Sequence, residues 1–265
     1  MITTPSPVLR LALALWCLAA LAAVAAAEGT GIWATPHDSY SSSIGVLGCK
    51  INTNRVAYWP MSVDCNNICV KLSYGDRSLH LLRVDQSGGA YDVSYDAWNY
   101  LQTGKSASKE PIAGGGVAMT WENAKASDCK DLIHADGLPL SAANSMNFVA
   151  SCLGEPDSWV GRNHVLFNIA DSVCSLGHDE KCKLDWASGQ NQPTCDHMLG
   201  SQDELTSDPV YNIRYPTGEK VLASTGQVVN SSGAASIRWS LDGLPFWRLE
   251  ALAGLAACVV ANVYL

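Results

Sequence analysis

Positive charge is scarce in this chain. Seventeen Lys and Arg face 25 Asp and Glu across 265 residues, a net charge of −8. An acidic surface argues against nucleic acid and anionic lipid as partners and suits a neutral, carbohydrate-rich neighbourhood. Other signals are missing as well. No Gly-x-Ser-x-Gly elbow offers a serine nucleophile, and no His-Glu-x-x-His pair offers a metalloprotease site among the six scattered histidines. Gly29-x-Gly31-x-x-Ala34 imitates a dinucleotide fingerprint but follows no strand. Neither internal repeat nor long low-complexity run is present. The expected cofactor and metal content is therefore none.

The two ends carry targeting signals. Arg10, an apolar run over Leu11–Val24 and Ala25-Ala26-Ala27 before Glu28 form a secretory leader, expected as residues 1–27. At the other end, small residues at "NSSGAAS", a short spacer and an apolar tail from Leu244 to Leu265 match a GPI-attachment signal, expected over 229–265. The alternative is a single membrane span, but Arg248 and Glu250 leave a cleanly apolar stretch that is short for one. Attachment is expected at Ser232, with Asn230, Ser231 and Gly233 as alternatives, and Asn230 also heads an N-glycosylation sequon. The expected setting is the extracellular face of the plasma membrane or the wall, with the membrane contacted through the anchor.

Of ten cysteines, Cys17 and Cys258 fall in these end segments. The remaining eight, Cys49, Cys65, Cys69, Cys129, Cys152, Cys174, Cys182 and Cys195, are expected as disulfides in an oxidising compartment, with the pairing undetermined by spacing. His178, Cys182, Cys195 and His197 also have the ligand types of a zinc site. Disulfides are the default for a secreted chain.

Texture divides the mature chain. "NRVAYWP" and "ICVKLSYGDRSLHLLRVD" read as strands, the latter with a hairpin loop at Tyr74-Gly75-Asp76. Ser94 opens a short helix through "YDAWNYL". "TGKSASKEPIAGGG" reads as a linker. Beyond it, Leu138, Ala142, Met146, Val149 and Leu153 recur at helical steps behind a Ser141 cap, and a second helix is expected through Val160–Cys174.

Two stretches point further. "GTGIWATPHDSYSSSIGVLGCKINTNRVAYWP" has a strand, Gly45, Gly48-Cys49, an Asn-rich turn at Asn52 and Asn54, and Val56-Ala57. "YDVSYDAWNYL" places Asp92, Ser94, Ala97 and Trp98 in an Asp-x-Ser-x-x-Ala-aromatic array. Over about Gly29–Leu101 the chain resembles the double-psi β-barrel proteins: barwin-like proteins, expansins, rare-lipoprotein-A domains and glycoside hydrolase family 45. The resemblance is to fungal-type, GPI-anchored surface proteins in particular. It departs from the pattern at Tyr91, where expansins carry His, and at Ser87, where many relatives carry Cys.

The resemblance implies a mainly β fold: a six-stranded double-psi barrel over 28–102, a linker over 103–118, and a cysteine-rich, partly helical extension over 119–228. It also implies binding or loosening of wall polysaccharide (β-glucan, chitin or cellulose-like) without hydrolysis, in a groove containing Asp92. The first alternative is an inverting β-glycan hydrolase, Asp92 as acid and Asp38 as the nearest carboxylate for a base. The second is an effector, inhibitor or structural wall protein on the same scaffold. Tyr58, Trp59 and Tyr91 are expected as sugar-contacting rings because they flank turns. Asp85 is read first as a residue tying the end of its strand to the loop, and second as part of the groove.

Overall fold

The computed structural model describes residues 29–229; the expected leader and the attachment segment, with Asn230, Ser231, Ser232 and Gly233, lie outside the described residues. Among the described residues no helix is long and apolar enough to cross a membrane. The alternating segments of the first half form strands. β1 (Thr30–His37), β2 (Val56–Trp59), β3 (Cys69–Tyr74), β4 (Arg77–Gln86), β5 (Tyr91–Ser94) and β6 (Val117–Asn123) close a barrel in the order β1-β5-β2-β4-β3-β6. β1 runs parallel to β5 and β2 to β4, while the remaining pairs are antiparallel.

Alternation decides what each strand shows to the interior. Ile32, Ala34, Ala57, Trp59, Val70, Leu72, Leu81, Val93 and Met119 pack inside. The expected hairpin is present: Tyr74 pairs with Arg77 around Gly75, whose φ of 59° suits glycine. The expected barrel end at residue 102 falls one strand short. β6 bridges β1 and β3 and completes the closure, so the barrel runs to Asn123.

The stretch expected as a linker is packed. α1 (Tyr95–Thr103) buries Tyr95, Trp98 and Leu101 against the barrel and stops at Gly104 in the left-handed region. Two buried polar side chains of α1 then hold the excursion that follows. Asp96 accepts from Ala107 N (2.7 Å), Ser106 Oγ and Arg55 (2.8 Å). Asn99 donates to the carbonyls of Lys105 and Glu110 and accepts from Ile112 N (2.9 Å). Buried polar groups satisfied this fully rigidify the segment they hold.

The second half is less helical than its periodicity predicts. β7 (Leu138–Ser141), β8 (His164–Ile169) and β9 (Gly177–Lys181) form a three-stranded sheet in the order β7-β8-β9. The helices between them are short, α2 (Met146–Leu153) and α3 (Trp159–Arg162), and a hairpin of β10 (Tyr211–Ile213) and β11 (Lys220–Leu222) follows. Ser141, expected as a cap, is a strand residue whose hydroxyl donates to Ile169 O at 2.6 Å. The expected helix over Val160–Cys174 is one turn followed by β8. Val165, Phe167 and Ile169 favour a strand, and β8 is paired on both sides, so a short apolar run that periodicity leaves ambiguous becomes the sheet centre.

Barrel and extension fold as one body. Val46, Leu47, Tyr58, Leu82 and Val84 share a core with Leu138, Leu140, Val149, Leu166 and Ile169. Disulfides Cys49–Cys174, Cys65–Cys152 and Cys69–Cys129 cross between the halves, and Cys182–Cys195 closes a local loop. All eight expected cysteines are thus paired.

Candidate functional site

Closure of the barrel aligns four side chains on its outer face. Thr35 on β1 pairs with Asp92 on β5, Asp92 with Tyr58 on β2, and Tyr58 with Asp85 on β4. These strands are consecutive around the barrel, so the residues form one row across it. The last step requires the register shift between Ala57 and Tyr58, which moves the pairing from Arg83 to Asp85. Asp85 and Asp92 therefore stand on either side of Tyr58, their Cα atoms about 10 Å apart, two inter-strand spacings.

The Thr35 hydroxyl donates to Asp92 Oδ1. Asp85 accepts from its own strand's Gln86 N (2.7 Å) and from the Ser41 hydroxyl (2.6 Å). Ser42 adds a bond to Val84 O, and Ser43 accepts from Gln86 N, so the serine run seals one end of the row. Among the described residues no salt bridge reaches either carboxylate. Burial raises the Tyr58 phenol well above its ordinary range, with Asp85 and Asp92 adding to the rise. Tyr58 thus stays neutral between two acceptors. Such a row offers carboxylate acceptors and two hydroxyls, those of Thr35 and Tyr58, the chemistry that suits a hydroxyl-rich ligand.

The expected aromatics take different places. Tyr58 is 4% exposed, and the His37 ring lies 4.6 Å from it, so Tyr58 is a floor and presents no open stacking face. Trp59 has no exposed surface and packs inside the barrel against Tyr91 and Trp121; it cannot touch a ligand. Tyr91, half-buried, sits with the interior set beside Trp59. Asp38 accepts from Tyr215 N at 2.9 Å and lies outside the row; the carboxylate across Tyr58 from Asp92 is Asp85. Thr35, His37 and the serines were not singled out by sequence reasoning. Parity could have found the first two, since Thr35 and His37 share an outer face of β1 two residues apart; no local signal marks the serines.

The zinc alternative is overturned by the pairing of its thiols. Cys182 and Cys195 form a disulfide, and His178 and His197 stack at 4.0 Å and 11°. Each imidazole meets a carboxylate instead: His197 Nδ1 lies 2.7 Å from Glu180 Oε2, and His178 Nε2 lies 2.9 Å from Asp203 Oδ2. Among the described residues no cluster could hold a metal ion. Hydrogen bonding from His197 holds Glu180 down at about 2, and Glu180 in turn raises His197.

These shifts define a pH window. The lowered Glu180 contributes fully above its ordinary value of 4.5 and is lost as pH falls towards 2; the raised His197 contributes fully below 6.5 and is lost as pH rises through its folded value. Amide exchange over residues 178–203 should therefore be most protected between these limits after correction for intrinsic rates. Protection that stays flat from pH 5 to pH 8 would exclude this clasp.

Comparison of the chain with protein-family models, with curated proteins and with solved structures returns no significant match. The class defined by the structure is a closed six-stranded mixed β-barrel that shares a core with a three-stranded sheet.

Proposed function

We propose that the protein binds, and loosens without hydrolysing, a neutral wall polysaccharide along the Thr35–Asp92–Tyr58–Asp85 row. The barrel is read as one of the double-psi kind, in keeping with the resemblance in its first strand and around Asp92. The observation that carries the proposal is the row itself: two carboxylates without cationic partners flank a neutral tyrosine on an outer face. Carboxylates placed this way accept from sugar hydroxyls, and charge-assisted bonds of that kind contribute about 1.5–3 kcal/mol each. The four disulfides fit an oxidising compartment. Anchorage at the cell surface through a lipid-linked C-terminus belongs to the same proposal.

Pull-down on insoluble β-glucan, chitin and cellulose tests it. The protein should be retained by at least one polymer, and Asp92→Ala should weaken retention on the order of tenfold or more. Failure to bind all three polymers would end this reading.

The Asp85–Asp92 pair supports a second reading, an inverting glycoside hydrolase. Such enzymes hold an acid and a base about 6.5–9.5 Å apart across a water site. Release of reducing ends that is abolished separately by Asp92→Asn and Asp85→Asn would establish it. Release that survives either substitution would remove the pair from catalysis.

A further inference from the structure

Trp33 is the most exposed tryptophan among the described residues, at 68%. It stands on β1, two residues from Thr35 and on the same outer face, about 7 Å along the strand. The residue beside both is Gly116, and a Cβ placed there would lie 3.5 Å from Thr35 Cγ2 and from Trp33 Cβ. The surface of the row therefore continues past Thr35 onto the indole.

Beyond Trp33 the outer face opens into a shelf of about 450 Å³ across β1, β6 and β3. Its floor is made of small residues: Ala118 pairs with Trp33, while Gly31, Thr120 and Ser73 pair in line across the three strands. Exposed Tyr74 stands at the far edge. No charged side chain lines the shelf, although the chain carries a net charge of −8. Two exposed rings about a shallow, uncharged floor with two hydroxyls suit a flat molecule that is apolar on its faces and hydroxylated at its edge. A pyranose has that character. A charged or purely aliphatic partner does not.

We propose that the shelf is a second subsite for neutral pyranose residues of a β-linked polysaccharide, with Trp33 as the stacking platform and Ser73 and Thr120 as hydroxyl partners. The inference rests on reading the Asp92 row as a glycan site, and it gives that site a direction: the polymer leaves the row along β1 towards β3.

Titration of the ¹⁵N-labelled protein with the pentaoses of cellulose, chitin and β-1,3-glucan tests this. The indole N–H resonance missing from Trp33→Phe identifies Trp33, and it should shift with the ligand that binds. Trp33→Ala should weaken binding about tenfold, the loss of one stacked ring. Gly31→Val provides an independent variant. A Cβ at Gly31 meets nothing within 4 Å, so a valine there starts from open space, occupies the shelf and should weaken binding while unfolding stays as in the parent.

If the sugar binds and Asp92→Asn weakens it, but Trp33→Ala and Gly31→Val bind as the parent does, the shelf is overturned and the row stands. If no pentaose moves any resonance, both readings fall. If Trp33→Ala changes sedimentation and leaves sugar affinity alone, the shelf is a contact between copies of the chain and the subsite is refuted.

Discussion

Replacing Cys69 and Cys129 together with alanine is expected to lower the free energy of unfolding by about 4 kcal/mol. The bond closes a loop with a sequence separation of 60, and in the chain-entropy account that constraint on the unfolded ensemble amounts to about 4 kcal/mol. Both sulfurs are fully buried, so the missing atoms also leave unfilled space beside β3 and the 3-10 turn at Ala126–Leu132. The Cys182–Cys195 bond gives the contrast. Its separation is 13, and it ties a loop at the protein's edge, so its loss should loosen residues 182–195 while the main transition moves less. Urea unfolding of the two alanine pairs decides the matter. Equal midpoints for Cys69/Cys129 and the parent would show that the core holds without this cross-link.

Trp59→Ala should cost about 3–5 kcal/mol, the usual penalty for emptying a large aromatic site in a core. Trp59 has no exposed surface and contacts Tyr91 and Trp121 by its ring. Its indole N–H is buried without a hydrogen-bond partner. Trp59→Phe removes that unpaired donor along with part of the ring, so the two effects oppose one another and the net cost should be about 1–2 kcal/mol. Polysaccharide binding by the folded Phe variant should match the parent. A folded Trp59→Phe protein that no longer bound sugar would return Trp59 to the site and contradict its burial.

What could be read in advance was what adjacent residues determine. Tyr74-Gly75-Asp76 supplied a hairpin because glycine and aspartate satisfy a tight turn locally. Val70 and Leu72 alternate with outward residues in the sequence, and that parity survives folding. Asp92, Tyr58 and Asp85 could each be singled out in the sequence, but their alignment with Thr35 in one row could not, because they meet only through strand pairing and a bulge that local patterning does not register. β6 was hidden behind Gly114, Gly115 and Gly116, which look like a boundary; Asp96 and Asn99 reach across to order the preceding stretch. In the second half, Leu138–Ser141 and Val165–Ile169 are short and apolar. Pairing partners settled their conformation where helical spacing pointed the other way.

The nested order of the three long cross-links also fixes a load path. Cys49–Cys174 encloses Cys65–Cys152, which encloses Cys69–Cys129. Tension applied between residues 29 and 229 would pass through the outermost bond, sparing everything between Cys49 and Cys174. Only residues 29–48, 175–181 and 196–229 could lengthen, because Cys182–Cys195 shunts the loop between them. β1 lies in the first of these, so a pulled molecule would surrender Thr35 and Trp33 while the chain between Cys49 and Cys174 stayed laced together.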